Sequence, residues 1–173
     1  EIAAEAGLTK GAIYWHFRSK NDLFFSLLES RFQRQVAPLS GNIAQAAADA
    51  PDPASRKRAL GLLFRDTLIG FRDDADWPRL FFEFLAQSRD AEMAARLSQL
   101  CDYSRQVARQ AVEQMQRSGL ADPGLDPGML AIFWCALVDG LMMAWVVKPE
   151  TFQEDRLIER MVDMLASGML PGA

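Results

Sequence analysis

One stretch of the sequence, residues 129–147, leaves few options for the fold of the whole chain. It reads MLAIFWCALVDGLMMAWVV and contains a single charged residue, Asp139. Nineteen such residues approach the length of a membrane span. A carboxylate near the middle, with Gly140 beside it, and the amphipathic pattern of the remaining chain argue against a span. We therefore predict a helix that is buried on both sides, with a second subunit as the simplest cover for its outer side.

The remaining apolar residues recur at spacings of three and four, which predicts helices. No alternation of period two is sustained, so we expect an all-α fold without a sheet. Cap residues and prolines place the helix ends. One predicted helix begins at Lys20 and is kinked or broken near Pro38. Another begins at Pro53 after the cap Asp52, and the next begins at Trp77. A long helix runs from near Met93 to Ser118 and Gly119, and the last helix follows a capping box of Thr151 and Glu154.

Residues 2–23 read as two short helices joined by a glycine turn and followed by a third helix. Gly7 can take the positive φ that ends the first helix, and Thr9 can cap a second helix from Lys10 to Phe17. Ile13 and Phe17 lie four residues apart and should face inward. Ser19 should open the third helix through a capping box with Asp22.

The outward surface of the second helix has the composition of a surface that enters a DNA groove. Small residues permit close approach, lysines neutralise phosphates, and aromatic residues with polar atoms contact base edges or the backbone. The alternative is an ordinary helical hairpin whose aromatic residues belong to a core. The predicted DNA-binding residues are Thr9, Lys10, Gly11, Ala12, Tyr14, Trp15, His16 and Lys20.

The string GLTKGAIYWHFRSKNDL resembles the signature of the TetR/AcrR family of transcriptional regulators. The residues that carry the likeness are Thr9, Lys10, Gly11, Ile13, Tyr14, His16, Phe17 and Lys20. The resemblance implies a further helix before Ile2 that completes a three-helix DNA-binding unit. The segments WPRLFFEFLAQSRDAEMAARL and ALVDGLMMAW are similar, more weakly, to a ligand-binding stretch and a dimer helix of one subgroup of the family.

The charge distribution agrees with a nucleic-acid partner although the chain is acidic, with net charge −4. Residues 9–20 carry three basic residues and no acidic one, whereas residues 36–173 carry fourteen basic residues against nineteen acidic. A modest basic patch suffices when dimerisation doubles the contact. We expect a DNA-binding domain at 1–36 and a ligand-binding and dimerisation domain at 37–173.

Catalysis, cofactors and metals have little support in the sequence. The only histidine, His16, belongs to the predicted DNA-binding surface, and no zinc spacing or phosphate-binding glycine motif occurs. Cys101 and Cys135 form no C-x-x-C motif and fit reduced core residues of a cytoplasmic protein; a disulfide and a redox sensor are the alternatives. We expect no enzyme and no cofactor.

Soft and aromatic side chains are concentrated in the larger part of the chain, where core packing and an apolar ligand pocket are both possible. The candidate ligand-binding residues are Phe64, Thr67, Phe71, Phe81, Glu83, Phe84, Cys101, Ser104, Trp134 and Met142. Glu83 and Asp139, as carboxylates among apolar residues, could also fix a cationic ligand or be satisfied within the fold. The last two helices could pair with a second copy through Leu130, Trp134, Leu137, Leu141, Trp145, Leu157, Met161 and Leu165.

These observations predict a homodimeric transcriptional regulator, a repressor that a small hydrophobic effector releases from a double-stranded DNA operator. The ligand type, the repressor role and the dimer of the last two helices are also what the family resemblance implies. The alternative is a helical small-molecule-binding or scaffolding dimer that does not bind DNA. The sequence does not distinguish repression from activation.

Overall fold

The computed structural model describes residues 2–72, 76–87, 91–148, 150 and 155–170. Within them the chain forms helices and no strand, as the sequence predicts. The helices are α1 (Ile2–Glu5), α2 (Lys10–His16), α3 (Lys20–Val36), α4 (Leu39–Ala48), α5 (Pro53–Arg72), α6 (Asp76–Gln87), α7 (Ala91–Arg117), α8 (Pro127–Val147) and α9 (Asp155–Gly168). They form two compact units, Glu1–Pro38 and Leu39–Ala173.

Local signals place most helix ends. Asp52 caps α5 because its carboxylate accepts hydrogen bonds from the N–H groups of Ala54 and Ser55, both at 3.0 Å. At the end of α7, Gly119 has φ of +76°. The N–H of Leu120 then donates to the carbonyl of Met115 at 2.9 Å, which completes a Schellman cap. The predicted capping box of Thr151 and Glu154 lies outside the described residues.

The core of the second unit lies among α4, α5, α7, α8 and α9. α5 packs along α9, α7 packs along α8, and α4 packs against both α5 and α7. Ile43, Leu60, Leu68 and Leu120 are almost completely buried. Full burial of one such side chain stabilises a fold by about 1.5–3 kcal/mol, so these residues fix how the helices meet.

The apolar helix α8 belongs to this core along one side. Within the described residues it is the helix that is long and apolar enough to cross a membrane, by length and composition alone. A core helix passes the same test. The residues of α8 buried within the protomer are Ala131, Val138, Leu141, Met142 and Trp145.

Candidate nucleic-acid interface and ligand-binding unit

The first unit contains a tight turn between α1 and α2. Gly7 has φ of +65°, its N–H donates to the carbonyl of Ala4 at 3.1 Å, and the N–H of Leu8 donates to that of Ala3 at 2.8 Å. This pair of bonds is a Schellman cap, and the left-handed conformation at its centre suits glycine. The turn therefore ends α1 at Glu5 and redirects the chain into α2.

Side-chain caps set the start of the next two helices. The Thr9 hydroxyl accepts a hydrogen bond from the N–H of Ala12 at 3.1 Å, and the Ser19 hydroxyl accepts one from the N–H of Asp22 at 3.1 Å. The Asp22 carboxylate accepts from the N–H of Arg18 at 3.1 Å. This bond reaches one residue further back than the capping box predicts, and it ties down the short link between α2 and α3.

The inward and outward faces of α2 agree with the sequence prediction except at Ala12. Ile13 and Phe17 are half-buried, and the N–H of Phe17 donates to the carbonyl of Ile13 at 2.9 Å to close the helix. Ala12 is half-buried, and the other seven predicted DNA-binding residues are exposed: Thr9, Lys10, Gly11, Tyr14, Trp15, His16 and Lys20.

Three aromatic rings and a lysine give this surface its shape. Trp15 is 82% exposed and Tyr14 is 57% exposed. The ammonium of Lys10 lies 5.9 Å from the centroid of the Tyr14 ring, within the range of a cation–π contact. The His16 ring meets the Trp15 ring edge-on, with centroids 4.6 Å apart. Such a surface offers positive charge for phosphates and polar ring atoms for base edges.

In the second unit, two of the candidate ligand-binding residues form an aromatic contact between α5 and α8. The rings of Phe64 and Trp134 lie 5.2 Å apart at 37°. Phe64 and Met142 are buried, whereas Phe81 is half-buried and contacts Trp77 and Phe82. The side chains of Phe71 and Phe84 lie outside the described residues.

The polar candidates divide between two settings. Glu83 is exposed, not enclosed among apolar residues as its sequence neighbours suggest, and the Thr67 hydroxyl donates to the carbonyl of Leu63 at 3.0 Å within α5. Ser104 and Cys135 meet between α7 and α8, with Oγ and Sγ 3.8 Å apart. Cys101 lies one turn before Ser104 on α7 and is exposed, so the prediction that it is a core residue is wrong.

Asp139 adds charge to this contact between α7 and α8. Asp139 is exposed in the protomer, but partial burial still raises the pKa of its carboxyl, whereas the positive charge of Arg105 lowers it. Burial also raises the pKa of both Cys101 and Cys135, and the Asp139 carboxylate raises each further. We call Cys101, Ser104, Cys135 and Asp139 the polar seam. Its thiols favour the protonated form, which is the less nucleophilic one.

The predicted dimer-forming residues are, for the most part, engaged within their own protomer. Leu141 and Trp145 are buried, and Leu130, Trp134, Leu137, Leu157, Met161 and Leu165 pack partly against the core. Different apolar residues remain exposed on α8. They form what we call the outer face of α8: Met129, Ile132, Phe133, Met143 and Val147. The sequence did not single these out because α8 is apolar all round, so no polar face marks which side is outside.

Family profiles of known proteins match both units of the chain. Residues 56–169 match the family profile of the C-terminal part of BetI-type transcriptional repressors. Residues 1–27 match the profile of bacterial regulatory proteins of the tetR family. The first match alone spans more than half of the chain, and the second covers α1, α2 and the start of α3.

Similar regulators are found among characterised proteins. The chain is 26% identical to the HTH-type transcriptional regulator TtgR of Pseudomonas putida (strain DOT-T1E), over 94% of this chain and 77% of TtgR. It is 27% identical to the HTH-type transcriptional regulator AcrR of Shigella flexneri, over 88% of this chain and 70% of AcrR.

A solved structure shares the fold. The fatty acid degradation regulator FadR from Bacillus halodurans superposes with a TM-score of 0.64 at 21% identity, over 98% of this chain and 87% of that protein. Profile matches, sequence relatives and fold thus lead to one assignment: the chain belongs to the TetR/AcrR family of DNA-binding transcriptional regulators.

Proposed function

We propose that this protein is a cytoplasmic repressor that binds operator DNA as a homodimer through α2 and leaves it when a small hydrophobic effector binds the second unit. The observation that carries the proposal is the exposed surface of α2. It joins Lys10, Tyr14, Trp15 and His16 in the stretch that has basic residues and no acidic one. Phosphate contacts would position the helix, and ring atoms would contact the base edges.

DNA binding is tested with the full-length protein and the DNA that flanks its own gene. Each phosphate contact contributes about 0.9 to the slope of log affinity against log salt. Lys10→Ala and Lys20→Ala should each reduce that slope by about this amount, and Tyr14→Ala should weaken binding. Lys148→Ala, an exposed lysine at the end of α8, is the control and should leave the slope unchanged. Unchanged binding in all three α2 and α3 variants would remove the proposed DNA role.

The outer face of α8 supports the homodimer. Five large apolar side chains are exposed along one side of α8, and Met164 of α9 is 65% exposed. Burying such a surface against a second copy removes apolar area from water. Gly140 lies on the same side as the outer face, between Phe133 and Val147, and a β-carbon built there would meet nothing within 4 Å. A larger residue at Gly140 is therefore tolerated by the protomer but would obstruct a partner helix.

Gly140→Leu tests the dimer with opposite effects on two measurements. Leucine in place of a helical glycine should raise the stability of the protomer by up to about 1 kcal/mol, while sedimentation should show more monomer. Gly41→Leu is the matched control, because Gly41 is also helical and also has open space beside it. A wild-type protein that sediments as a monomer, or that requires membrane extraction, would contradict the proposal.

The proposed effector is small and largely apolar. Support comes from the contact between the rings of Phe64 and Trp134 and from the buried Met142, because small-molecule sites are lined mostly by apolar and aromatic side chains. Isothermal titration with neutral and cationic aromatic compounds tests this class of ligand. If Glu83→Gln binds the cationic compounds as tightly as the wild type does, the exposed Glu83 carboxylate is not part of the site.

Release would follow from the spacing of the two α2 helices. They must lie about 34 Å apart, or a multiple of this, to enter successive major grooves on one face of the DNA. An effector that binds more tightly to a dimer with another spacing shifts the population of dimers away from the DNA-binding form. The shift cannot exceed the difference between the affinities of the effector for the two forms. A reporter gene measured with and without the protein distinguishes repression from activation.

A further inference from the structure

Three consecutive residues at the end of α2 place their rings in contact. The Trp15 and His16 centroids are 4.6 Å apart at 85°, and the His16 and Phe17 centroids are 6.3 Å apart at 53°. Neighbouring positions on a helix point about 100° apart and do not normally face each other. The side chains of Trp15 and His16 therefore lean toward one another.

The three rings extend from a half-buried position to the surface of the first unit. Phe17 is half-buried, and its N–H is hydrogen-bonded to the carbonyl of Ile13. His16 is exposed and lies between Phe17 and Trp15, whose indole is 82% exposed. An indole so exposed gains little orientation from packing against the protein body. The edge of His16 supplies the orientation that the body does not.

We propose that His16 is a positioning residue for Trp15, holding the indole in the outward orientation in which it meets base edges, so that His16 controls the preference for one DNA sequence over another. The inference rests on the proposed DNA-facing role of α2. A side chain that must be immobilised on binding loses affinity in proportion to the freedom it gives up. A pre-oriented Trp15 avoids that loss of affinity for the DNA sequence that fits it, and its affinity for other sequences does not increase.

The competing role for His16 is a contact to phosphate, which has different consequences. A contact with phosphate contributes equally to the affinity for any DNA sequence. Where a positive charge makes the contact, it also increases the dependence of that affinity on salt. A positioning role changes the ratio between two DNA sequences and leaves the salt dependence alone. The two roles also differ in which residue can replace histidine. An uncharged aromatic residue can supply a ring edge, but it cannot supply a charge to a phosphate.

The first experiment measures sequence preference in the full-length protein. A duplex is selected from a random pool by the wild type, and affinities for it and for a scrambled duplex are measured at several salt concentrations. His16→Ala should lower the ratio of the two affinities by about 3- to 10-fold, the loss expected for one newly mobile side chain. His16→Phe should restore the ratio. Gln33→Ala, at an exposed position of α3, is the control and should change nothing.

The outcomes that would overturn the proposal differ from one another in what they change. Equal losses on both duplexes with a smaller salt slope, and no rescue by His16→Phe, would make His16 a phosphate contact and overturn the proposal. If Trp15→Ala leaves the affinity for the selected duplex unchanged, the indole is not part of the interface and the inference falls even where Lys10 and Lys20 still bind DNA. Loss of the DNA role of α2 itself would show as unchanged binding in the lysine variants as well.

A second experiment detects the ring contact without DNA. The rings of Trp15 and His16 lie 4.6 Å apart, so nuclear Overhauser effects should connect their ring protons in the free protein. The indole signals of Trp15 should also shift in His16→Ala. Absence of any such effect between the two rings would contradict the contact.

Discussion

A β-carbon built on Gly61 would lie 3.3 Å from Cγ1 of Val162, so α5 and α9 approach each other closely at a position that leaves little space for a side chain. Carbon atoms in ordinary contact are about 3.5–4.0 Å apart. The contact joins two helices that pack along each other, and Leu60 of α5 and Ile158 of α9 are both buried. Stability of the second unit should therefore depend on the size of residue 61.

Gly61→Val should lower the free energy of unfolding by about 1–3 kcal/mol, the usual cost of forcing extra carbon atoms into a packed core. Urea denaturation monitored by circular dichroism measures it. Gly70→Val is the control within the same helix, because a β-carbon there meets nothing within 4 Å. Val162→Ala should recover part of the loss in the Gly61→Val background, since it removes the opposing atoms. Equal losses at both glycines would attribute the effect to the helix rather than to packing.

Thr9→Ala should weaken both the stability of the first unit and its binding to DNA. The hydroxyl accepts the N–H of Ala12, and loss of such a cap costs about 0.5–2 kcal/mol. α2 has seven residues, so it cannot form without its caps and packing. Thr9→Ser keeps the hydroxyl and should behave as the wild type in urea unfolding and in DNA affinity. Ser30→Ala, in the exposed middle of α3, should have little effect. If Thr9→Ala bound DNA as Thr9→Ser does, the cap would not support the DNA-binding surface.

Most helix ends could be predicted because the signals that set them are local. Thr9, Ser19 and Asp52 cap helices by bonds to the next three residues, and Gly119 ends α7 by its own backbone conformation. The break near Pro38 is likewise confirmed, since α3 ends at Val36 and α4 begins at Leu39. Each of these choices depends on a few neighbouring residues and not on distant packing.

The surfaces of the second unit could be predicted less well, because they depend on which helices meet. α8 is apolar on every side, so periodicity gives no reason to place Trp145 inside and Phe133 outside. Glu83 lies between apolar neighbours in sequence but is exposed in the fold. The contact of Ser104 with Cys135 joins residues 31 positions apart, and no local pattern predicts it.

Asp139→Asn should raise the melting temperature at pH 7 and have no effect at pH 3. Partial burial of this exposed residue raises the pKa of its carboxyl in the folded protein, although Arg105 opposes the shift. A group whose pKa is raised by folding adds stability below its unfolded pKa, about 3.9 for Asp, and loses that stability as the pH rises through the folded value. At pH 7 the ionised carboxylate is therefore a cost that asparagine avoids. A lower melting temperature at pH 7 would mean that attraction to Arg105 outweighs burial.

Alkylation of Cys101 should be slower than that of a cysteine in an unstructured peptide at pH 7.5, even though the residue is exposed. Partial burial of the Cys101 thiol raises its pKa, and the Asp139 carboxylate raises it further, while the thiolate is the form that reacts. Asp139→Asn removes the negative charge and should increase the rate, which peptide mass spectrometry resolves separately for Cys101 and Cys135. Cys135 is half-buried and should react more slowly in both proteins. A Cys101 rate that is unchanged by Asp139→Asn but rises with urea would show that access alone, and not the charge of the polar seam, limits the reaction.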